Sequence, residues 1–356
     1  MNERLRSVRD WMSHEKVDAV LLQKPANRKY AAGFTGSAGT VVITPDKQYL
    51  ITDFRYKTQA CEQSPGFTYL EIGKHDSAAK HIANLGLKRV GIEEEYISYA
   101  TATAYKDEIP SVDLVPMNEL LTEIRSVKEM EEVQNIRRAA AVADEGWNMI
   151  QRRIRPGVSE RELALDLEFF MRKHGADGVS FQIIIASGVR SALPHGIASD
   201  KLVEAGDLVI CDFGALVDGY CSDMTRTLVV GKASDEQKKI YETVLTAQLK
   251  ALDAVRPGIT GVELDAIARK IITSAGYGES FGHGLGHGVG IEIHELPHVN
   301  HLGTTPLQPG NILTIEPGIY LPELGGVRIE DLVLVTREGC QVLSASDKEL
   351  LELPVS

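Results

Sequence analysis

Residues 207 to 230 read DLVICDFGALVDGYCSDMTRTLVV. Apolar and β-branched residues run up to Asp218-Gly219 and resume after it, the pattern of two strands joined by a two-residue hairpin. If Val217 pairs with Tyr220, Asp212 falls opposite Thr225. Asp223, two residues from Thr225, then points to the same sheet face as Asp212, within joint reach of one cation. Asp218 reads as a turn residue that caps backbone. Asp212 instead interrupts a strand that otherwise looks buried, where a lone carboxylate is costly without a charge partner.

A second copy of this layout lies downstream. RPGVSERELALDLE (155–168) matches RPGITGVELDAIAR (256–269), and each leads through a glycine-rich loop to a phenylalanine, Phe181 and Phe281. LPH at 193–195 matches LPH at 296–298, and GDLVICD (206–212) matches GNILTIE (310–316). Colinear matches at a nearly constant offset predict two related halves facing each other with a site at their junction. The repeat superposes Asp212 on Glu316 and sets Asp223 roughly where the other half has Glu330. In ILTIEPGIYLPELGGVRIEDLVLV (312–335) a strand ends at Glu316, Pro317-Gly318 opens a turn, Gly325-Gly326 lies in a loop, and a return strand carries Glu330. Arg328, on the same face as Glu330, can pair with one carboxylate.

Four converging acids and one arginine leave excess negative charge, which a pair of divalent cations neutralises. Oxygen ligands with one or two imidazoles and no thiolate suit manganese, cobalt, iron or zinc. A two-metal site of that kind performs hydrolysis, with an amide bond as one target.

Four of the ten histidines fall in FGHGLGHGVGIEIHELPH (281–298). His283 and His287 are spaced i, i+4, but Gly284, Gly286, Gly288 and Gly290 argue against a helix. These glycines read as letting the backbone approach metal or substrate closely. Spacing alone does not choose between His283 and His287 as a ligand. From Val289 the stretch VGIEIHE alternates like a short strand, so His294 is expected to leave the loop in another direction. His195 and His298 correspond through LPH. An imidazole beside a metal centre stabilises an oxyanion or holds a peptide terminus, a role for which His195 and His294 rank ahead of His298.

The chain has 356 residues, enough for two domains with separate cores. Residues 1–122 alternate short β-branched runs (DAVLLQ, TVVIT, QYLITD, RVGIEEE) with helical stretches such as 77–85, a small α/β layer. Tyr30 to Gly39, YAAGFTGSAG, reads as a structural turn cluster. Ser126, with Glu129 three residues on, is the expected N-cap of a long helix that opens a second domain, residues 123–356. Hydrophobic residues at 43% and charged residues at 25% indicate a folded globular protein. With 38 basic against 50 acidic residues the formal charge is -12, which disfavours nucleic acid as a partner. A charged start and apolar runs too short to span a bilayer argue against secretion and membrane insertion. Cys61, Cys211, Cys221 and Cys340 show no paired spacing and read as reduced thiols of a cytoplasmic protein.

With Asp212, Asp223, His287, Glu316 and Glu330 assembled, the chain resembles the pita-bread metallopeptidases, in the Xaa-Pro dipeptidase (prolidase) and aminopeptidase P branch. The resemblance spans nearly the whole chain and includes SALPHG, DFGALVDGYCSDMTRT, GHGLGHGVGIEIHE, TIEPGIY and GGVRIED. It implies an α/β creatinase-like N-terminal domain followed by an α+β pita-bread domain with an internal pseudo-two-fold repeat. It further implies two divalent metals, manganese first with cobalt, iron or zinc admissible. Asp212 would chelate one, Asp223 and Glu330 would bridge both, and His287 and Glu316 would complete the other. Glu316 would shuttle a proton during attack on an Xaa-Pro carbonyl. His195 and His294 would contact substrate and the tetrahedral intermediate, His283 would line the pocket, and Tyr320 and Arg328 would support the ligand shell.

Small peptides with proline second are the implied substrates, and a homodimer the implied assembly. Some prolidases have Arg where this chain has His298, a weaker and pH-dependent carboxylate partner, so longer peptides remain open as substrates. Methionine aminopeptidase needs no domain like residues 1–122, and creatinase lacks the metal set. A catalytically dead peptide-binding module would be expected to have lost ligands.

Overall fold

The computed structural model describes residues 3–74 and 76–355. The chain divides into two compact units between Arg125 and Ser126.

In the first unit, α1 (Glu3–Glu15) precedes β1 (Ala19–Leu22), α2 (Pro25–Ala32), β2 (Thr40–Ile43), β3 (Gln48–Asp53), α3 (Lys57–Gln63) and β4 (Thr68–Ile72). Then come α4 (Ala78–Asn84), β5 (Arg89–Ile92), α5 (Tyr99–Glu108), β6 (Asp113–Pro116) and α6 (Leu120–Ser126). The strands form one sheet in the order β4-β3-β2-β1-β5-β6. Each β-branched run quoted above supplies a strand, and the central ones, β1 and β2, are buried throughout because both faces are covered. Leu21, Val42, Ile51, Val90 and the helix residues Ala79 and Ile82 share one core. The turn cluster after α2 is tied down by the buried Arg28, whose guanidinium donates to Gly39 O at 2.8 Å and Gly36 O at 3.0 Å.

The second unit opens with α7 (Met130–Ile150), α8 (Glu160–Lys173), β7 (Gly178–Val179) and β8 (Ile184–Ser187). The hairpin region follows as β9 (Leu208–Phe213), β10 (Ala215–Val217), β11 (Tyr220–Cys221) and β12 (Met224–Val230). After α9 (Asp235–Ala254) and α10 (Gly261–Ser274) come β13 (Gly286–Gly288), β14 (Glu295–Val299), β15 (Ile312–Ile315), β16 (Gly318–Leu321), β17 (Gly325–Arg328), β18 (Asp331–Val335), β19 (Cys340–Val342) and β20 (Leu351–Leu353).

Two sheets carry the two halves, one ordered β20-β12-β9-β8 and the other β14-β13-β15-β18-β19. Each is backed by its own helix pair. Ala143, Trp147, Leu163 and Leu167 from α7 and α8 pack with Val209, Cys211 and Leu228. Val244, Ala247, Leu264 and Ala268 from α9 and α10 pack with Leu313, Ile315 and Val333. The repeated RPG segments therefore lead into equivalent helices, started by Ser159 and Thr260, whose hydroxyls accept the amide protons of Glu162 and Glu263.

The hairpin register is the expected one: Val217 pairs with Tyr220, and Thr225 with Asp212. The two strands are broken, however, because the tip peels away to pair with β7 in a separate three-stranded sheet. Pairing keeps step across the break, with Leu216↔Cys221 on one side and Met224↔Phe213 on the other. The second half repeats this. Ile315↔Asp331 and Gly318↔Arg328 keep step across a break that holds Glu316 and Glu330 directly opposite each other.

Three expectations are corrected. Gly325-Gly326 is not in a loop but opens β17, where the two glycines pair with Leu321 and Tyr320 of β16. Ser126 does not cap the long helix; it closes α6, and the cap is Glu129, with a reciprocal bond between its backbone N–H and the Glu132 carboxylate at 3.0 Å. The helix starts late because Val127 bridges Asn311 and Lys128 N–H donates to Gly310 O at 2.9 Å. Nor does VGIEIHE form a strand: residues 290–294 are bends and β14 begins at Glu295. Glu295 is drawn inward there by a buried ion pair with Lys128 at 2.7 Å.

Candidate metal centre

Asp212 leaves β9 one residue before its end, Asp223 stands just before β12, Glu316 follows β15, and Glu330 lies between β17 and β18. All four face one cavity of about 430 Å³, together with His195, His283, His287, His294 and Arg328. The ligand atoms of Asp223, His287 and Glu330 lie within 4.8 Å of one another.

The imidazole of His287 is oriented from behind. Its Nδ1 lies 3.1 Å from Gly288 O, which only accepts, so Nδ1 carries the proton and Nε2 presents its lone pair. That lone pair faces Asp223 Oδ2 at 3.6 Å and Glu316 Oε1 at 3.4 Å. Burial holds His287 below the usual histidine range, which keeps the ring neutral. Acceptors facing acceptors at these distances call for a cation between them.

The carboxylates carry the same signature. Burial, then repulsion from Glu330, Asp212 and Glu316, pushes Asp223 well above the usual carboxylate range. Burial, then repulsion from Glu316 and Asp212, does the same to Glu330, and burial raises Glu316. Asp212 Oδ1 and Asp223 Oδ1 are buried without a hydrogen-bond partner, a costly state that a metal ion relieves. The donor set therefore fits divalent cations held by oxygen and one neutral imidazole.

Arg328 neutralises one acid, donating through Nη2 to Asp212 Oδ2 at 2.5 Å. Its Nη1 donates to Tyr320 Oη at 2.8 Å and to Pro194 O at 3.2 Å. Burial pushes the Tyr320 hydroxyl up to about 12, so it keeps its proton and donates to His283 Nε2, 2.8 Å away. His283 Nδ1 in turn faces Gly284 O at 2.8 Å. Both ring nitrogens are thus engaged, and His283 forms a wall of the cavity. Thr225 joins the halves: its hydroxyl donates to Glu330 Oε2 at 2.7 Å, and its carbonyl accepts Glu330 N–H at 3.1 Å.

His195 and His294 stand exposed at the rim. The His294 ring meets that of His287 edge-on with centroids 4.3 Å apart, so the two do not diverge as the alternation of VGIEIHE implied. Desolvation, then the neighbouring His287 and His195 rings, lowers His294 to about 4, leaving it neutral near pH 7. His298 pairs with His287 across β13 and β14 but does not line the cavity, and Tyr320 lies behind Arg328. Gly284 and Gly286 line the cavity, and the glycines of this segment also make close contacts with protein. A Cβ on Gly286 would fall 2.1 Å from Thr314 O, so β13 packs there against neighbouring backbone.

Sequence reasoning missed Phe181, Gln182, Ile184, Ile197, Ile293 and Asn300, which line the cavity. It also missed the hydroxyls of Thr225 and Thr314. Phe181 had surfaced only as a landmark of the repeat; its counterpart Phe281 is buried against Arg269 instead, 4.3 Å from ring to guanidinium.

Buried acids and one neutral imidazole on opposed hairpins, in a cavity rimmed by further histidines, define the site of a divalent-metal-dependent hydrolase. Residues 134–337 match the family described as metallopeptidase family M24, and residues 4–127 match the creatinase/prolidase N-terminal domain. The Xaa-Pro dipeptidase of Pyrococcus horikoshii is 40% identical over 351 residues, covering 99% of each protein. A solved Xaa-Pro dipeptidase from Bacillus anthracis superposes with a TM-score of 0.96 at 46% identity, covering 99% of both chains. An X-Pro aminopeptidase from Thermotoga maritima gives 0.90 at 38% identity, covering 95% of this chain and 98% of that one. The chain belongs to metallopeptidase family M24, with the creatinase/prolidase domain in front of it.

Proposed function

We propose that the protein hydrolyses the Xaa-Pro bond of short peptides, acting first as an Xaa-Pro dipeptidase. The observation that carries this reading is the set Asp212, Asp223, His287, Glu316 and Glu330 in one cavity with His195 and His294 at its rim. Asp212 and Asp223 of one hairpin, Glu316 and Glu330 of the other, and His287 would together hold two divalent ions. Manganese heads the candidates, with cobalt, iron and zinc compatible with the same donors. Such ions supply Lewis-acid activation of the peptide carbonyl and of water.

The chain's own groups do the rest. Glu316, raised by burial and held by Thr314 Oγ1 at 3.0 Å, moves the proton from water to the leaving nitrogen. His294, neutral and against His287, and the neighbouring His195 contact the peptide and its tetrahedral intermediate. Arg328 holds Asp212, and Tyr320 holds Arg328 and His283 in position. Proline offers no amide N–H, so an apolar wall can take the place of a backbone hydrogen bond; Phe181, Ile184, Ile197 and Ile293 supply one.

A homodimer working in the cytoplasm accompanies this reading. The four thiols, Cys61 among them exposed and free, support a reducing compartment. The X-Pro aminopeptidase likeness favours a second reading, cleavage of longer peptides. The discriminating experiment compares an Xaa-Pro dipeptide with an Xaa-Pro-Xaa tripeptide on manganese-loaded protein. Preference for the tripeptide replaces the dipeptidase reading with the aminopeptidase one. Cleavage of neither under any of the four metals leaves a peptide-binding module and rejects the enzyme.

A further inference from the structure

The two helices that open the repeated segments begin with different residues, Glu160 on α8 and Gly261 on α10. Glu160 is fully buried, an unusual state for a carboxylate, and its partners explain it. Oε1 accepts from the Ser187 amide at 2.8 Å and from the Ser187 hydroxyl at 2.9 Å. Oε2 accepts from the Ser199 amide at 3.0 Å, the Ser199 hydroxyl at 2.6 Å and Arg190 Nε at 3.0 Å. Ser187 and Ser199 are the two ends of the loop that carries Pro194 and His195. One carboxylate therefore closes the neck of that loop, and Arg190 reaches across it to Ile197 O at 2.7 Å.

In the other half, Gly261 meets β14, the strand bearing His298, backbone to backbone. A Cβ there would lie 2.0 Å from His298 O and 2.9 Å from Val299 Cα. The same helix position thus positions the histidine of LPH twice, by a carboxylate in one half and by the lack of a side chain in the other. The far side of the first loop is held by Arg328 Nη1 on Pro194 O and by Gly326 N–H on Ser191 Oγ at 2.8 Å.

We propose that Glu160 is a positioning residue, which fixes the distance of His195 from the metal centre by clamping both ends of its loop. This rests on the reading of His195 as a substrate contact. Hydrogen exchange of the Glu160→Ala protein reads the clamp without any activity. Exchange at 187–199 should rise, while the rest of the second unit stays as in the parent. Kinetics on Ala-Pro then read its purpose. Glu160→Ala should lower kcat/KM by ~10- to ~100-fold in the parent, yet by less than about twofold in a His195→Ala background, because both changes remove one interaction. Glu160→Asp, with a shorter carboxylate, should recover part of the loss. Unchanged exchange in the loop, or an equal loss in both backgrounds, overturns the proposal. Should Glu160→Ala fail to fold, Ser199→Ala removes one donor and is read the same way. If the parent cleaves no Xaa-Pro peptide, the proposed function falls, and the exchange result alone decides whether Glu160 clamps the loop.

Discussion

Substituting Gly286 by alanine probes how the metal centre depends on strand packing. The new Cβ would sit 2.1 Å from Thr314 O and 2.7 Å from Thr314 Oγ1. Ordinary contact begins at 3.4 Å, so β13 must retreat from β15 by 3.4 − 2.1 = 1.3 Å. The next residue is His287, whose amide donates to Thr314 Oγ1 at 3.1 Å and whose Nε2 lies 3.4 Å from Glu316 Oε1. A retreat of that size breaks the first contact and carries the imidazole away from the carboxylates. Misplacement by ~1 Å costs roughly 100-fold, equivalent to ~2.7 kcal/mol, and overpacking itself destabilises by about 1–3 kcal/mol. Titration calorimetry with manganese on metal-stripped protein, paired with kcat/KM on Ala-Pro, measures both consequences. Gly282 lies in the same glycine-rich segment with open space around it, so Gly282→Ala is the control and should stay within about twofold of the parent. Manganese affinity of Gly286→Ala within threefold of that control would refute the argument that the glycine admits Thr314.

Two further perturbations reach the fold that supports the site. Arg226→Met removes a buried cation that donates to Asp331 Oδ1 at 2.8 Å and to the Thr225 and Glu330 carbonyls, leaving Asp331 to Lys348 and Gln248. Breaking such a pair from one side costs about 3–5 kcal/mol; urea unfolding followed by Trp147 fluorescence should show it, and a loss below about 1 kcal/mol would mean the network is redundant. In the first unit, the Asp18 carboxylate accepts the Arg89 and Lys88 amides at 2.9 and 2.8 Å, which lowers it below its ordinary 3.8. A lowered folded value contributes stability above the unfolded value and loses it as pH falls through the folded one. Asp18→Asn should therefore lower the urea midpoint seen by Trp11 at about pH 6, with the difference from the parent shrinking as pH falls below the ordinary 3.8; a difference that widens on acidification contradicts the assignment.

Much of this architecture is legible in local pattern. Continuous apolar runs on both sides of Asp218-Gly219 mark the hairpin, and its two-residue turn sets the register, because pairing Val217 with Tyr220 fixes every pair further down the two strands. The acids stand out because Asp212 and Glu316 interrupt strands where nothing local could neutralise them. Helix starts were less legible. Ser126 has the right neighbours for a cap, but the residues after it are claimed by a bridge to Asn311, a partner far along the chain. The alternation of VGIEIHE lost to the ion pair that draws Glu295 to Lys128.

What the sequence by itself determined is which residue types recur at equivalent points of two halves: paired acids, LPH histidines and helix caps. Those follow from short-range periodicity and steric rules that act within a few residues. Only the tertiary structure decided what each of them faces. His195 rims the cavity while His298 does not, Phe181 lines it while Phe281 is buried, and Glu160 clamps a loop where Gly261 yields to backbone. The physical reason is that burial, hydrogen-bond saturation and repulsion between carboxylates arise from contacts made across more than a hundred residues of chain, such as Thr225 to Glu330. A duplicated sequence can specify two similar halves, but only one junction forms between them, and there their equivalent residues divide the work.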